Sequence, residues 1–246
     1  MTPIYSQTFS VLTADTDRFS RLKPSHLLAF LQESAGNHSA LLGTGRKELA
    51  LRNLFWAVLR HRVQITRLPV AGETITVETW PMPTTRTAYP RSTVAYDAQG
   101  QEVFRAISLW VLMDSDRRAM VLPGKSGVHV EGLIRGNELT VPGTLPLKRR
   151  QYQELRTVRY TDTDCNGHMN NCRYLDWMED TLPGEFHQQH QLREFSVRYL
   201  SEAREGENLC LSWDLSPEGL LHIDARRQED GLGENQAHVF GIQAQY

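Results

Sequence analysis

The chain runs twice through the same order of patterns, and this repeat limits its possible architectures more than any other feature. Residues 4–12 alternate apolar and polar side chains, as a half-buried strand does. A polar turn with Asp15 and Asp17 follows. Pro24 and Ser25 then open a long segment with Leu27, Leu28, Phe30, Leu31, Ala35, Leu41 and Leu42 at helical spacing, closed by Gly43 and Gly45. Four strand-like runs come next, at 55–65, 73–80, 91–96 and 103–113, with turns at 70–73 and 97–100. The second half repeats the order, with a strand at 154–160, a polar turn and a helical segment at 170–180. Strands at 195–200, 208–215, 220–228 and 237–244 complete it. Local matches support the repeat. Ala14-Asp15-Thr16-Asp17 mirrors Thr161-Asp162-Thr163-Asp164, and Val70-Ala71-Gly72-Glu73-Thr74 before Trp80 mirrors Ala203-Arg204-Glu205-Gly206-Glu207 before Trp213.

A repeat of this length means two copies of one domain rather than a solenoid. Each helical segment is too apolar to lie in water, and a sheet with one apolar face is the partner it needs. The expected fold class is α+β: two tandem hotdog domains, each a curved antiparallel sheet wrapped around a long helix. They are expected at 1–125 and 148–246, joined by a Gly/Pro-rich linker at 126–147. Two such units normally pair edge to edge, so a monomer with an internal pseudo-dimer or a homodimer is expected.

Composition narrows the function classes. The 246 residues are 40% apolar and 23% charged, as in ordinary globular proteins, and the net charge of −2 carries no general nucleic-acid or membrane signature. Cys165, Cys172 and Cys210 form no Cys-x-x-Cys pair, which suits a reducing compartment. No basic region followed by an apolar run, and no Ser/Arg-rich transit segment, is visible at the start. No stretch approaches the ~18 apolar residues of a membrane span. The cytoplasm is the expected location. No phosphate loop appears and His168 has no second His or Cys at ligand spacing, so neither a nucleotide cofactor nor a metal is expected.

Chemistry concentrates in Asp164-Cys165-Asn166-Gly167-His168-Met169-Asn170-Asn171. If this segment is extended, Asp164, Asn166 and His168 share one side, offering a carboxylate, an amide and an imidazole. Tyr174, Trp177 and Met178 stripe the helix expected after it, with Asn170 or Asn171 as N-cap. The free N–H groups of its first turn would suit a carbonyl oxygen gaining negative charge. The positions matching Asn166 and His168 in the first copy are Phe19 and Arg21, so the first half keeps the frame and lacks the constellation.

The wider pattern Asp-x-Asn-x-His-x-Asn-Asn-x-x-Tyr-x-x-Trp resembles the active-site segment of hotdog thioesterases, most closely the acyl-ACP thioesterases, and the resemblance covers nearly the whole chain. It implies hydrolysis of fatty acyl-acyl carrier protein to a free fatty acid, with acyl carrier protein as partner. The N-terminal half would shape acyl-chain selection and the C-terminal half would be catalytic. It adds Glu202, in Val197-Arg198-Tyr199-Leu200-Ser201-Glu202-Ala203, as the residue that completes the site. By this likeness Asn166 and His168 polarise the thioester or position water, and Glu202 activates the water. Asp164 is either a nucleophile through an anhydride or an orienting group. Many plant members carry Cys after the Glu; Ala203 rules out a cysteine nucleophile at that position. Leu28, Leu31, Ala35, Leu54 and Trp56 are candidate acyl-chain residues. Lys148, Arg149 and Arg150, or the basic run Arg46, Lys47, Arg52, Arg60 and Arg62, are candidate docking cations for an acidic carrier. Rival readings are an acyl-CoA thioesterase, an enoyl-thioester hydratase and a non-catalytic acyl-carrier-binding module.

Overall fold

The computed structural model describes residues 3–141, 143, 150–228 and 237–246. The chain divides into two compact units, Met1–Pro142 and Gly143–Tyr246.

In the first unit, β1 (Tyr5–Ser10) leads through a short 3-10 turn into α1 (Pro24–Leu41), which Pro24 starts with its preset φ. The short α2 (Arg46–Ala50) precedes β2 (Leu54–Ile65), β3 (Thr74–Pro81), β4 (Tyr89–Tyr96), β5 (Glu102–Asp114) and the two-residue β6 (Met120–Val121). The strands are antiparallel in the order β1-β3-β4-β5-β2, with β6 beside the end of β5. Helix α1 packs on β1 and β3 through Leu27, Leu28, Leu31, Ser34, Ala35 and His38. Leu41, expected in that stripe, is 63% exposed.

The described part of the expected linker, 126–141, is instead a strap on the first unit. After α3 (Pro123–Ser126), Val128 is buried in a cluster with Leu49, Leu54, Tyr89 and Leu112. The Leu133 N–H donates to the Pro81 carbonyl (2.9 Å), and the Arg135 guanidinium covers the Trp80 ring. Gly132 lies so close to the Met82–Pro83 backbone that an added Cβ would sit 2.2 Å from the Pro83 nitrogen. The Pro and Gly residues permit this close extended path, while Val128, Val130 and Leu133 supply apolar surface to hold it.

The second unit has β7 (Tyr152–Thr157), α4 (Arg173–Glu179), α5 (Gly184–Gln189), β8 (Glu194–Tyr199), β9 (Asn208–Leu215), β10 (Leu220–Arg227) and β11 (His238–Gln245), ordered β8-β11-β10-β9-β7. Its helix is not long. α4 has 7 residues and ends before Pro183, which cannot continue a helix interior. Tyr174, Leu175, Trp177 and Met178 are still its buried face, with the Tyr174 ring 4.6 Å from that of Phe240.

The repeat holds to individual hydrogen bonds. In the first unit the Val11 N–H donates to the Glu73 carbonyl, Gly72 to Val11, Asp17 to Arg21 and Leu22 to Pro69. In the second, Val158 donates to Glu207, Gly206 to Val158, Asp164 to His168 and Met169 to Ala203. Thr66 and Arg67 both donate to the Val103 carbonyl, as Leu200 and Ser201 both donate to Val239. This register equates Arg21 with His168 and Leu68 with Glu202. It also makes Asp214, not Trp213, the counterpart of Trp80: Trp80 is buried and Trp213 half-buried, so those two tryptophans are not equivalent.

One buried polar pair makes the first unit pH-sensitive. His61 is fully buried on β2, its Nδ1 2.7 Å from the Ser108 hydroxyl, and burial lowers its pKa from 6.5 to about 3. The unfolded chain takes up a proton there that the folded chain refuses. Stability is therefore expected to fall as pH drops from about 6.5 toward 3. Urea midpoints at pH 7, 5 and 4 will fall more steeply for the native sequence than for His61→Gln.

Candidate active site

The motif is not extended. It is a hairpin, closed by the Thr163↔Met169 bridge and by the Asp164 N–H donating to the His168 carbonyl (2.8 Å). Gly167 turns the chain at φ +74°, a left-handed conformation that glycine adopts without a Cβ clash. Within the turn the Asp164 Oδ1 accepts the Asn166 backbone N–H (2.8 Å) and Oδ2 accepts the Asn166 Nδ2 (3.2 Å). Asp164 and Asn166 therefore meet because the turn folds back, not because an extended strand aligns them. The Asp164 carboxylate is turned onto the Asn166 amide, and Asn166 stays exposed.

The next residues tie the hairpin down. The Met169 N–H donates to the Ala203 carbonyl (2.7 Å) and the Asn170 N–H to Asp162 (2.8 Å). The first bond brings the 200–204 loop beside the hairpin, and there the His168 Nε2 lies 3.1 Å from the Glu202 Oε2. The His168 side chain is 16% exposed and that of Glu202 is 43% exposed, so solvent reaches the carboxylate while the imidazole is sheltered. The four candidate catalytic residues thus fall in two pairs, Asp164–Asn166 and His168–Glu202.

Two of the N–H groups at the helix start, expected as an oxyanion site, are already occupied. Asn170 does act as a cap: its Oδ1 accepts the Cys172 N–H (2.9 Å), and its carbonyl accepts the Arg173 N–H (2.9 Å). These first-turn donors are already used, and a helix of 7 residues has little dipole to add. Cys172 lies just before α4 rather than inside it, and burial first, then Asp176, pushes its thiol up to about 12. Held neutral, it is no nucleophile.

Two contributors were not singled out by the sequence. The Arg227 NH2 donates to the Glu202 carbonyl (2.6 Å) and its Nε to the Glu207 carboxylate (3.0 Å), fixing the loop that presents Glu202. The Tyr199 hydroxyl donates to the Asn171 carbonyl (2.9 Å) and its ring meets Tyr174 edge-on at 5.5 Å. Arg227 reaches the loop through β9–β10 pairing, which no local pattern around residue 227 encodes.

The corresponding frame in the first unit is filled differently. The Asp17 Oδ1 accepts the Phe19 and Arg21 N–H groups (2.8 and 2.9 Å), and Oδ2 accepts the Arg21 guanidinium (2.9 Å). The carboxylate survives there, but the amide, imidazole and second carboxylate do not.

The other candidates separate. Leu28, Leu31, Ala35 and Leu54 are buried and Trp56 is half-buried. Leu54 and Trp56 belong to the cluster with Val128, whereas the other three lie on α1. Lys148 and Arg149 lie outside the described residues. Arg150 does not suit a docking role: its side chain is only 8% exposed and its NH1 sits 3.3 Å from the Asp214 carboxylate.

The two sheet-and-helix units, one bearing an Asp/Asn/His/Glu cluster and one lacking it, define a tandem hotdog protein of the thioesterase kind. Residues 3–122 match the model of the acyl-ACP thioesterase N-terminal domain and residues 147–239 that of the C-terminal domain, so the chain belongs to the acyl-ACP thioesterase family. It is 28% identical to a chloroplastic dodecanoyl-[acyl-carrier-protein] hydrolase of Cinnamomum camphora, covering 81% of this chain and 56% of that one. It is 26% identical to a chloroplastic palmitoyl-acyl carrier protein thioesterase of Gossypium hirsutum, covering 81% and 52%. The chain thus spans little more than half the length of these relatives. In fold it is similar to an acyl-ACP thioesterase from Bacteroides thetaiotaomicron (TM-score 0.88, 24% identity, 98% and 97% of the two chains). It is also similar to the 12:0-ACP thioesterase of Umbellularia californica (0.82, 22%, 100% and 97%).

The Asp164 carboxylate organises the turn whatever its chemical role. Asp164→Ala is expected to lower stability by about 1 kcal/mol through loss of its hydrogen bonds to Asn166, readable as a shift in the urea midpoint. Cys172→Ala should leave turnover of a thioester substrate within about twofold, since a thiol held at about 12 supplies no thiolate near neutrality.

Proposed function

We propose that this chain hydrolyses the thioester of fatty acyl-acyl carrier protein, releasing the free fatty acid and so ending chain elongation. The observation that carries the reading is the His168–Glu202 pair at 3.1 Å, with an Asn166 amide held by Asp164 on the same hairpin as His168. Membership of the acyl-ACP thioesterase family supports it.

The arrangement assigns roles. Glu202, the more exposed partner, takes a proton from a water that attacks the carbonyl carbon. His168 holds that carboxylate through Nε2 and steadies its position. The Asn166 amide donates toward the carbonyl oxygen as negative charge grows there. Collapse of the tetrahedral intermediate breaks the C–S bond, and the carrier thiolate leaves and is protonated. Both Asp164 oxygens are engaged with Asn166, so an orienting Asp164 fits better than a nucleophile. The acyl chain is taken by the interior of the first unit. The reading includes an acidic carrier protein as partner and the cytoplasm, where three free thiols persist, as the compartment.

Fatty-acid release from matched panels of acyl-ACPs and acyl-CoAs tests this. Rapid release from the carrier protein is expected, with His168→Ala and Glu202→Gln each losing roughly 10²–10⁴-fold in kcat at unchanged melting temperature. Equal cleavage of the CoA esters would overturn the carrier assignment. Hydration of enoyl thioesters without hydrolysis would overturn the reaction.

A further inference from the structure

The α1-facing side of the first sheet is not uniformly apolar. Register places Val77, Ala95, Phe104 and Ile65 in one row across β3, β4, β5 and β2, and Thr79, Thr93, Ala106 and Val63 in the next. The row after that is Pro81, Arg91, Ser108 and His61, and beyond it come Tyr89 and Trp110. Phe9 of β1 stacks on Phe30 at the apolar end, and His38, two turns further along α1, reaches Arg91 at the polar end. A buried polar band thus divides the interior into two apolar compartments. Leu27, Leu28 and Leu31 come early on α1, before the band, while Leu49, Leu54, Trp56 and Leu112 cluster beyond it with Tyr89.

Arg91 is the centre of the band. It is 7% exposed, and among the described residues no carboxylate pairs with it. Its NH1 donates to the His38 Nδ1 (3.1 Å) and the Thr79 hydroxyl (3.3 Å), and Thr93 donates to the same hydroxyl (3.0 Å). A guanidinium only donates, so Nδ1 is the acceptor and His38 is held as the neutral tautomer. Burial lowers the Arg91 pKa to about 10, which leaves it cationic near neutrality. A buried cation with donors to spare repels an alkyl chain, which can neither solvate it nor accept its hydrogen bonds.

We infer that Arg91, with His38, Thr79 and Thr93, is a polar stop that determines which acyl tails the first unit accepts. An alkyl tail ends before the band, whereas a tail carrying a hydrogen-bond acceptor such as a hydroxyl extends to it. The inference rests on the proposal that the acyl chain occupies this interior, and it names the side chains that end the chain's path by polarity rather than bulk.

The test uses acyl-ACPs of increasing length, each plain or with a terminal hydroxyl, on the full chain and on Arg91→Met and Thr93→Val. Both turnover and equilibrium affinity for acyl-ACP are read. In the native chain, a plain tail past the optimum should lose about tenfold in kcat/KM, and a terminal hydroxyl at that length should restore most of the loss. Arg91→Met should move the optimum to longer plain chains and abolish the hydroxyl advantage. Thr93→Val, a near-isosteric change that preserves folding, should do the same to a smaller degree. An unchanged length profile in both variants, or a hydroxylated tail no better than a plain one, would overturn the inference. If the native chain turned over no acyl-ACP, the proposed reaction would fail, while the affinity series would still decide for or against the polar stop.

Discussion

The site depends on one backbone hydrogen bond, from the Met169 N–H to the Ala203 carbonyl. The hairpin bearing Asp164, Asn166 and His168 and the loop bearing Glu202 are more than thirty residues apart in the chain. This bond, with Arg227 on the Glu202 carbonyl and the Val158 bonds to Gly206 and Glu207, holds the imidazole and carboxylate within reach. It forms because both partners are withdrawn from water: Met169 is 3% exposed and Ala203 is fully buried. An unpaired N–H or carbonyl there would cost more than a neutral hydrogen bond returns.

Much of the fold was legible in the sequence because it rests on periodicity and repetition. The strand alternation, the α1 stripe and the duplicated Asp-Thr-Asp and Gly-Glu segments all lie in local order. What local order could not reveal was where chain segments turn back on themselves. Gly167 allows a hairpin, and spacing alone does not distinguish it from an extended strand with the same alternating residues. The helix of the second unit looked long because Tyr174, Trp177 and Met178 keep helical spacing to within five residues of Pro183, where the helix cannot pass. The segment 126–141 looked like a linker because Gly and Pro punctuate it, yet Val128 and Leu133 anchor it.

The four site residues were legible to different depths. Asp164, Asn166 and His168 stood out as polar side chains before an apolar helix. Glu202 rested on the family pattern, since a carboxylate after a strand has no chemical signature by itself. Arg227 and Tyr199 left no trace because their roles arise from strand pairing and helix packing. The polar band around Arg91 was hidden for a related reason. Arg91, Thr79 and His38 are distant in sequence, and each would be an ordinary surface residue if its neighbours were not known.

The two hairpins carry the same backbone bonds but different cargo. Asp17 fills its own acceptors with Arg21, whereas Asp164 spends them on an amide. The frame is therefore a socket whose inserts can be exchanged without redrawing the main chain. Phe19, Arg21 and Leu68 stand in the first socket where Asn166, His168 and Glu202 stand in the second. Frame and insert are separable here at three positions, so one backbone pattern presents an arginine-filled turn in one unit and an imidazole–carboxylate pair in the other.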